Sequence, residues 1–553
     1  MKAIKSLFAL TVAAVALTAC NDLQQEPLGG STVTADQKQE IVEENPDMIS
    51  ASVNALPNMI SSLFAIFGGD PRLDSDFGIP SIYMILDHRG QDMVSALNNY
   101  QWYTAALEMS DFGGNYYDNF IIWNTYYNLI ASCNAVCGMI DGSVDSPEMQ
   151  YYRAQALAFR GYAYLNLAQL FQFTYVRNPQ APTVPVITDL NLDIASTDGM
   201  PRATCEQIYA QVNSDLNEAL ALLDKAATPT AENPKGVTRD NMASGSQIKT
   251  FVNQTVIYGL LARKDLLVQD YAAAGTHVTK AIELATAEGL APYSRDDVSK
   301  PGMTNINDKA WVWGFYTDPS ANVGLQCWGG QMMPWHGTAC YPGAGVYRCI
   351  NKKLYESISA NDVRKNWWFN GTNAPKTLPS QYSEYLAARS NYGLAEYSPY
   401  MQVKFGAYND EPGKTVNAED VPMMRVEELY LMLAEAQGMQ TPGTGATTLT
   451  NFVSTYRQPG YKCSTTSKEE FLDEVWKQRR IELWGEGFSY LDLMRFQKGI
   501  DRRGGGYDPT LVFVIEPTNP VLIYEINTRE AQANIAIGAV SNNASVPSAV
   551  PDI

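Results

Sequence analysis

Residues 149–172 read MQYYRAQALAFRGYAYLNLAQLFQ, and their spacing decides the fold. Tyr152, Ala156, Phe159, Ala163, Leu167 and Leu170 recur every three or four positions, which places them on one face of an α-helix. A second amphipathic stretch, YYDNFIIWNTYYNLIASCNAVCGMI, occupies 116–140. Between the two, DGSVDSP supplies the Gly, Asp and Pro that stop one helix and start the next. The pair predicts a helical hairpin of tetratricopeptide size. Further pairs are predicted outward from it: 204–224 with 246–264, and a third within 249–285, where Gly259, Ala262, Ala272 and Ala281 are small enough for close helix approach. A last element, 423–437, carries Val426, Leu429, Tyr430, Leu433 and Ala436 on one side. The fold class is therefore mainly α: a tetratricopeptide-like scaffold of irregular helix pairs with long loop-rich and short β insertions. Periodicity alone is equally compatible with an all-α protein of no repeat ancestry.

The scaffold covers about 35–290 and 423–500, and the insertion about 291–422 has another character. It is rich in Gly, Pro, Trp, Tyr and Asn, with strand-like runs at 311–316 (WVWGFY) and 400–405 (YMQVKF). Residues 500–527 add a Gly-rich turn and two β-like runs, LVFVIEP and PVLIYEI. These read as loops and short sheet laid over the helices, facing a ligand.

The 553 residues carry a formal charge of −19, which repels phosphate backbones and argues against a nucleic-acid partner. Three His and no Cys-x-x-Cys pair argue against a metal site, whereas 32 Tyr and 10 Trp suit a protein that grips flat or apolar ligand faces. Residues 1–19 read as a signal peptide: Lys2 and Lys5, an apolar run from Leu7 to Leu17, then Leu17-Thr18-Ala19 before Cys20. That ending predicts a lipoprotein acylated on Cys20, because several acyl chains anchor a protein where one does not. Residues 20–34 predict a lipidated, flexible tether, and 35–553 a single domain. Cys133 and Cys137, four apart on a helix, are predicted core thiols, while a bridge among Cys327, Cys340 and Cys349 stays open.

Several segments, in this order, resemble one family. They are the start at Cys20, WNTYYNLIASCNAV with YRAQALAFRGYAYLNLAQLF, MMRVEELYLMLAEAQ (423–437), KQRRIELWGEGFSYLDLMRF (477–496) and the closing YEINTREAQANIAI. Together they are similar to the SusD/RagB family of outer-membrane nutrient-binding lipoproteins. The chain departs from that pattern in two places. QFTYVRNPQAPTVP replaces the usual aromatic-Gly-x-Pro step, and Ser489 stands where an Arg is common. The resemblance implies a SusD-like α/α superhelix, no catalysis and no cofactor. It implies a location on the outer face of the outer membrane, capture of an oligosaccharide or polysaccharide, and delivery to a SusC-like TonB-dependent transporter. A surface-anchored glycoside hydrolase and a peptide-binding member of the family are the alternatives.

Glu482 and Glu486 could suggest a glycosidase pair, but four residues apart on one helix they face the same way, and Arg479, Arg480 and Arg495 would hold them ionised. An ion-pair network with Asp492 is predicted instead, and likewise for Arg425, Glu428 and Glu435. No P-loop, nucleophile elbow or His-Glu-x-x-His is present in the sequence. The ligand platform is sought where aromatics leave the helical pattern. Trp311 and Trp313 alternate like one strand face and read as core. Trp328 and Trp335 lie in Gly/Pro contexts that predict exposed rings, with Tyr341 nearby. A second candidate region, 74–103, offers Asp76, Asp92, Tyr100 and Trp102 for the hydroxyl edge and apolar face of a sugar.

Overall fold

The structure is a computed structural model that describes residues 46–552, apart from 70, 98–100, 232, 322–323, 394–395 and 466. The Cys20 region and Tyr100 lie outside the described residues. The helices begin where their caps are. Ser146 accepts from Met149 N and Pro147 takes the first helical position, while Thr204 and Gln207 form a capping box. Asn253 and Asp270 cap the next two helices in the same way.

The helices that carry the scaffold and the 477–496 motif are, in chain order, α1 (Ile79–Arg89), α2 (Tyr117–Met139), α3 (Pro147–Leu170), α4 (Cys205–Ala227), α5 (Gln254–Leu267), α6 (Tyr271–Ala287), α7 (Val426–Gln440), α8 (Pro442–Tyr456), α9 (Lys468–Glu482) and α10 (Ser489–Arg495). Each of α2 to α8 packs on the next, and α9 packs on α7. The chain is thus mainly α, a run of helix pairs in which α7 joins α6 across the whole insertion. Gly259 of α5 meets Met424 and Leu429, so a side chain there would press on the Met424 thioether just before α7.

The helix expected over 423–437 starts late: 423–425 belong to the strand Val421–Arg425, which pairs antiparallel with Trp311–Phe315, and α7 begins only at Val426. The apolar run across this junction hides the change, because the partner strand lies more than a hundred residues away. The helix α8 lies outside the elements placed from the sequence. Pro442 sits in its first turn, and Gly445 packs directly on the α7 backbone at Gly438.

The remaining strands are two-residue pairs, Met93–Val94 with Cys349–Ile350 and Ile500–Asp501 with Val514–Ile515. The 400–405 run makes only isolated bridges, from Met401 to Cys349 and from Gln402 to Trp368. Cys133 and Cys137 are buried free thiols, and so are Cys327, Cys340 and Cys349.

Candidate functional site: an aromatic cluster against a buried ion network

The 477–496 motif builds the interior. α9 ends at Glu482, and Gly485 and Gly487, both at positive φ, turn the chain so that Glu486 comes back toward it. The two carboxylates therefore do not share one helix, yet both converge on Arg425. Arg425 Nε and Nη2 donate to Glu486 at 2.9 and 2.8 Å, and its Nη1 pairs with Glu427 at 2.9 Å. Arg457 donates to both Glu482 oxygens at 2.8 Å. Arg364 joins Glu482 to Asp362, and Lys404 Nζ donates to Glu486 at 2.6 Å. Four cations thus face four carboxylates, all buried. Burial alone would raise the Glu482 carboxyl, but Arg457, Arg425 and Arg364 outweigh it and hold the group well below the usual carboxylate range. Glu486 is held low in the same way by Arg425 and Lys404. Neither can donate a proton near neutral pH.

A second chain of pairs ties the helices together. Arg479 and Arg495 both reach Asp492 at 2.7 Å, Arg495 also reaches Glu435, and Arg263 reaches Glu428. Asp92, sought as a sugar contact, belongs here: it is buried, takes Arg480 Nε at 2.9 Å and accepts from the Ser489 hydroxyl. Ser489, the departure from the family pattern, thus still binds this part of the interior.

The expected platform tryptophans are also interior. Trp335 is fully buried, donates from Nε1 to Phe405 O at 2.6 Å and meets Tyr382 edge-on. Trp328 is buried edge-on against Phe405. Their glycines do the opposite of what the sequence reading supposed. Gly329 lies against the Glu419 carboxylate and Gly330 against the backbone at Gly324 and Leu325, so the absence of side chains lets the segment close over its own ring. Asp76 is buried as well, and it accepts from Ile66 N and Phe67 N at 3.1 and 2.9 Å to shape the 64–67 turn. His88, within α1, is buried, stacked on Tyr103 and bonded to Met84 O.

Trp102 and Tyr341 come together. Trp102, half-buried, donates from Nε1 to the Tyr341 hydroxyl at 2.7 Å, and that hydroxyl donates to the Asp74 carboxylate. Asp74 also takes Gln326 Nε2 at 3.2 Å and Arg72 Nε at 3.2 Å. The Arg72 side chain is 59 % exposed and lies over the half-buried Phe64 ring. Three segments far apart in sequence thus present an indole, a phenyl ring, a guanidinium and an amide on one patch. Below it, Arg348 is buried with neutral acceptors: Ser95 Oγ at 2.7 Å, Gln331 O at 3.1 Å and Gln101 Oε1 at 3.3 Å. Burial pulls its guanidinium down to about 10, so it stays charged at neutral pH. It fixes Gln101, the neighbour of Trp102, and Gln331, which in turn donates to Asp74 O. Sequence reasoning missed Phe64, Arg72, Asp74 and Gln326. Of the two carboxylates it chose, Asp76 and Asp92, the former lies two residues from Asp74, the one that holds the Tyr341 hydroxyl.

Two family models match the chain. One, described as starch-binding and associating with the outer membrane, spans residues 82–234, and the other, the SusD family, spans 318–542. Together they cover more than half of the sequence. The chain belongs to the SusD/RagB family. This SusD/RagB member is 21 % identical over 421 residues to a SusD-like protein of Formosa agariphila, covering 70 % of this chain and 74 % of that one. Its fold is shared with a SusD-like carbohydrate-binding protein of Bacteroides vulgatus, with a TM-score of 0.69, 21 % identity, and 90 % and 97 % of the two chains covered. Surface glycan-binding protein A of Bacteroides thetaiotaomicron, solved with laminarihexaose, matches with a TM-score of 0.60, 16 % identity, and 90 % and 99 % covered. Among the described residues of this SusD/RagB protein, no helix is long and apolar enough to cross a membrane.

Proposed function

We propose that this protein captures a glycan at the Trp102–Tyr341 cluster without cleaving it, and delivers it to a SusC-like TonB-dependent transporter. In this reading a Cys20 lipid anchor holds the protein on the outer face of the outer membrane. One observation carries the glycan assignment: the Trp102 N–H, the Tyr341 hydroxyl and Asp74 are locked to one another, so the indole is oriented before any ligand arrives. A preset aromatic with amide and guanidinium groups at its edge is what a sugar ring needs, since its C–H face lies on the ring and its hydroxyls pair at the rim. The laminarihexaose complex of a fold relative supports the ligand class. The carboxylates that could have suggested hydrolysis are sealed among arginines.

The test is electrophoresis of the mature protein through gels carrying soluble polysaccharides, with peptides offered separately by calorimetry. Retardation by at least one neutral polysaccharide, clearly weakened in Trp102→Ala, is expected. Binding of peptides alone would favour a peptide-binding role instead. For the anchor, Cys20→Ala should move the protein from the membrane fraction to the soluble one, and continued membrane fractionation would remove the lipid tether from the account.

A further inference from the structure

A cleft of ≈ 440 Å³ opens between residues 300–308, 316–317 and 406–410, formed by segments other than those of the Trp102 cluster. Its floor is Asp420. That carboxylate takes Ile306 N at 2.9 Å on one oxygen and Thr317 N at 2.8 Å on the other, while Asp420 N donates to Thr304 O at 3.0 Å. Both carboxylate oxygens are thus spent on holding two walls in place. The third wall is pinned by Tyr382, whose hydroxyl accepts from Ala407 N at 3.0 Å. The cleft is therefore built in advance rather than left between loops.

Tyr316 and Tyr408 stand half-buried in its lining, and Asn305, Asn307 and Asp410 are exposed at its rim. Among the described residues, nothing hydrogen-bonds the Tyr316 or Tyr408 hydroxyl. The charged groups that line it are Asp308, Asp410 and Asp420 against Lys300. Asp308 is engaged by the Tyr293 hydroxyl at 2.5 Å and Asp410 by Gln381 at 2.8 Å.

From this lining we infer that the cleft is a second carbohydrate site, taking a neutral saccharide unit and rejecting uronic or sulfated ones. The inference rests on the reading of the chain as a glycan-binding protein, but on none of the residues of the first cluster. Two phenol rings with amides at the rim match the faces and edges of a sugar. Asp308 and Asp410, joined by an Asp420 that burial pushes up to about 7, outnumber Lys300 on the lining and oppose an anionic ligand.

The test uses calorimetry of the mature chain with laminarihexaose, maltohexaose, xylohexaose and hexagalacturonate as probes. Trp102→Ala, which weakens the first cluster, should retain binding of a neutral hexasaccharide. Adding Tyr408→Ala should weaken that residual binding at least tenfold, while Tyr408→Phe should keep most of it, and hexagalacturonate should give no heat in the Trp102→Ala chain. An unchanged thermal midpoint shows that each variant folds. Complete loss of binding in Trp102→Ala alone would overturn the second site and leave the first standing. Residual binding that ignores Tyr408→Ala and Tyr316→Ala would likewise overturn it. Wild-type protein that binds none of the neutral probes, with Trp102→Ala indistinguishable from it, would overturn both readings.

Discussion

Two polar regions of this molecule, both holding arginine and carboxylate, do opposite things. Around Glu482 and Glu486 the named charges are buried against opposite charges, so their hydrogen bonds are used within the network. Around Trp102 and Tyr341 the hydrogen bonds run inward from a half-buried ring, and Arg72 at the surface is 59 % exposed. A region whose polar groups satisfy one another fixes the fold. A region that uses its polar groups to aim an aromatic ring outward is prepared for a partner. Charge density is therefore a poor guide to function here, and the direction in which hydrogen bonds are spent is a better one.

The contrast is open to test. The largest effect belongs to the buried network. Glu482→Gln leaves Arg457, Arg425 and Arg364 short of a buried partner and should cost roughly 3–5 kcal/mol of stability, measured by denaturant unfolding. A change below about 1 kcal/mol would mean that the network is redundant. Next, Trp102→Ala should leave the thermal midpoint nearly unchanged and lower glycan affinity about tenfold, roughly 1.4 kcal/mol, by calorimetry. Tyr341→Phe keeps the ring but releases the Trp102 N–H and the Asp74 contact, so a loss of about 1 kcal/mol in binding is expected.

The mildest separation is by pH. Glu482 and Glu486 titrate below the free value of 4.5 in the folded chain, so the stability they contribute is complete above that value and is lost as pH falls toward the folded values. Thermal midpoints should therefore drop on acidification below about pH 4.5. Glycan binding should stay level between about pH 6 and 9, because burial raises the Tyr341 hydroxyl and leaves Arg348 charged up to about 10.

The helix pairs were legible because their signals are local. The DGSVDSP break and the threefold-to-fourfold spacing of 149–172 fall within one or two turns of the residues they govern, and Ser146 and Thr204 cap the helices near the expected starts. The strand at 421–425 was not legible, since its pairing with Trp311–Phe315 is decided by a remote segment. The ion network could be foreseen from the KQRRIELWGEGF pattern, although the break after Glu482 could not, because it turns on the backbone angles at Gly485 and Gly487. The ligand cluster was half-visible. Trp102 and Tyr341 stood out as aromatics among loops, but their meeting with Asp74, Gln326 and Arg72 depends on how three loops fold together. Trp328 and Trp335 misled because glycine marks both exposed turns and places where backbones touch.

The whole account stands on one oriented indole that holds a sugar without cutting it. The most direct check incubates the mature protein with a neutral hexasaccharide that it binds, measures the affinity of wild type and Trp102→Ala, and sizes the recovered glycan by chromatography. The account predicts about a tenfold loss of affinity in the variant and a hexasaccharide returned intact. Unaltered affinity in the variant, or shortened sugars from the wild type, would contradict it.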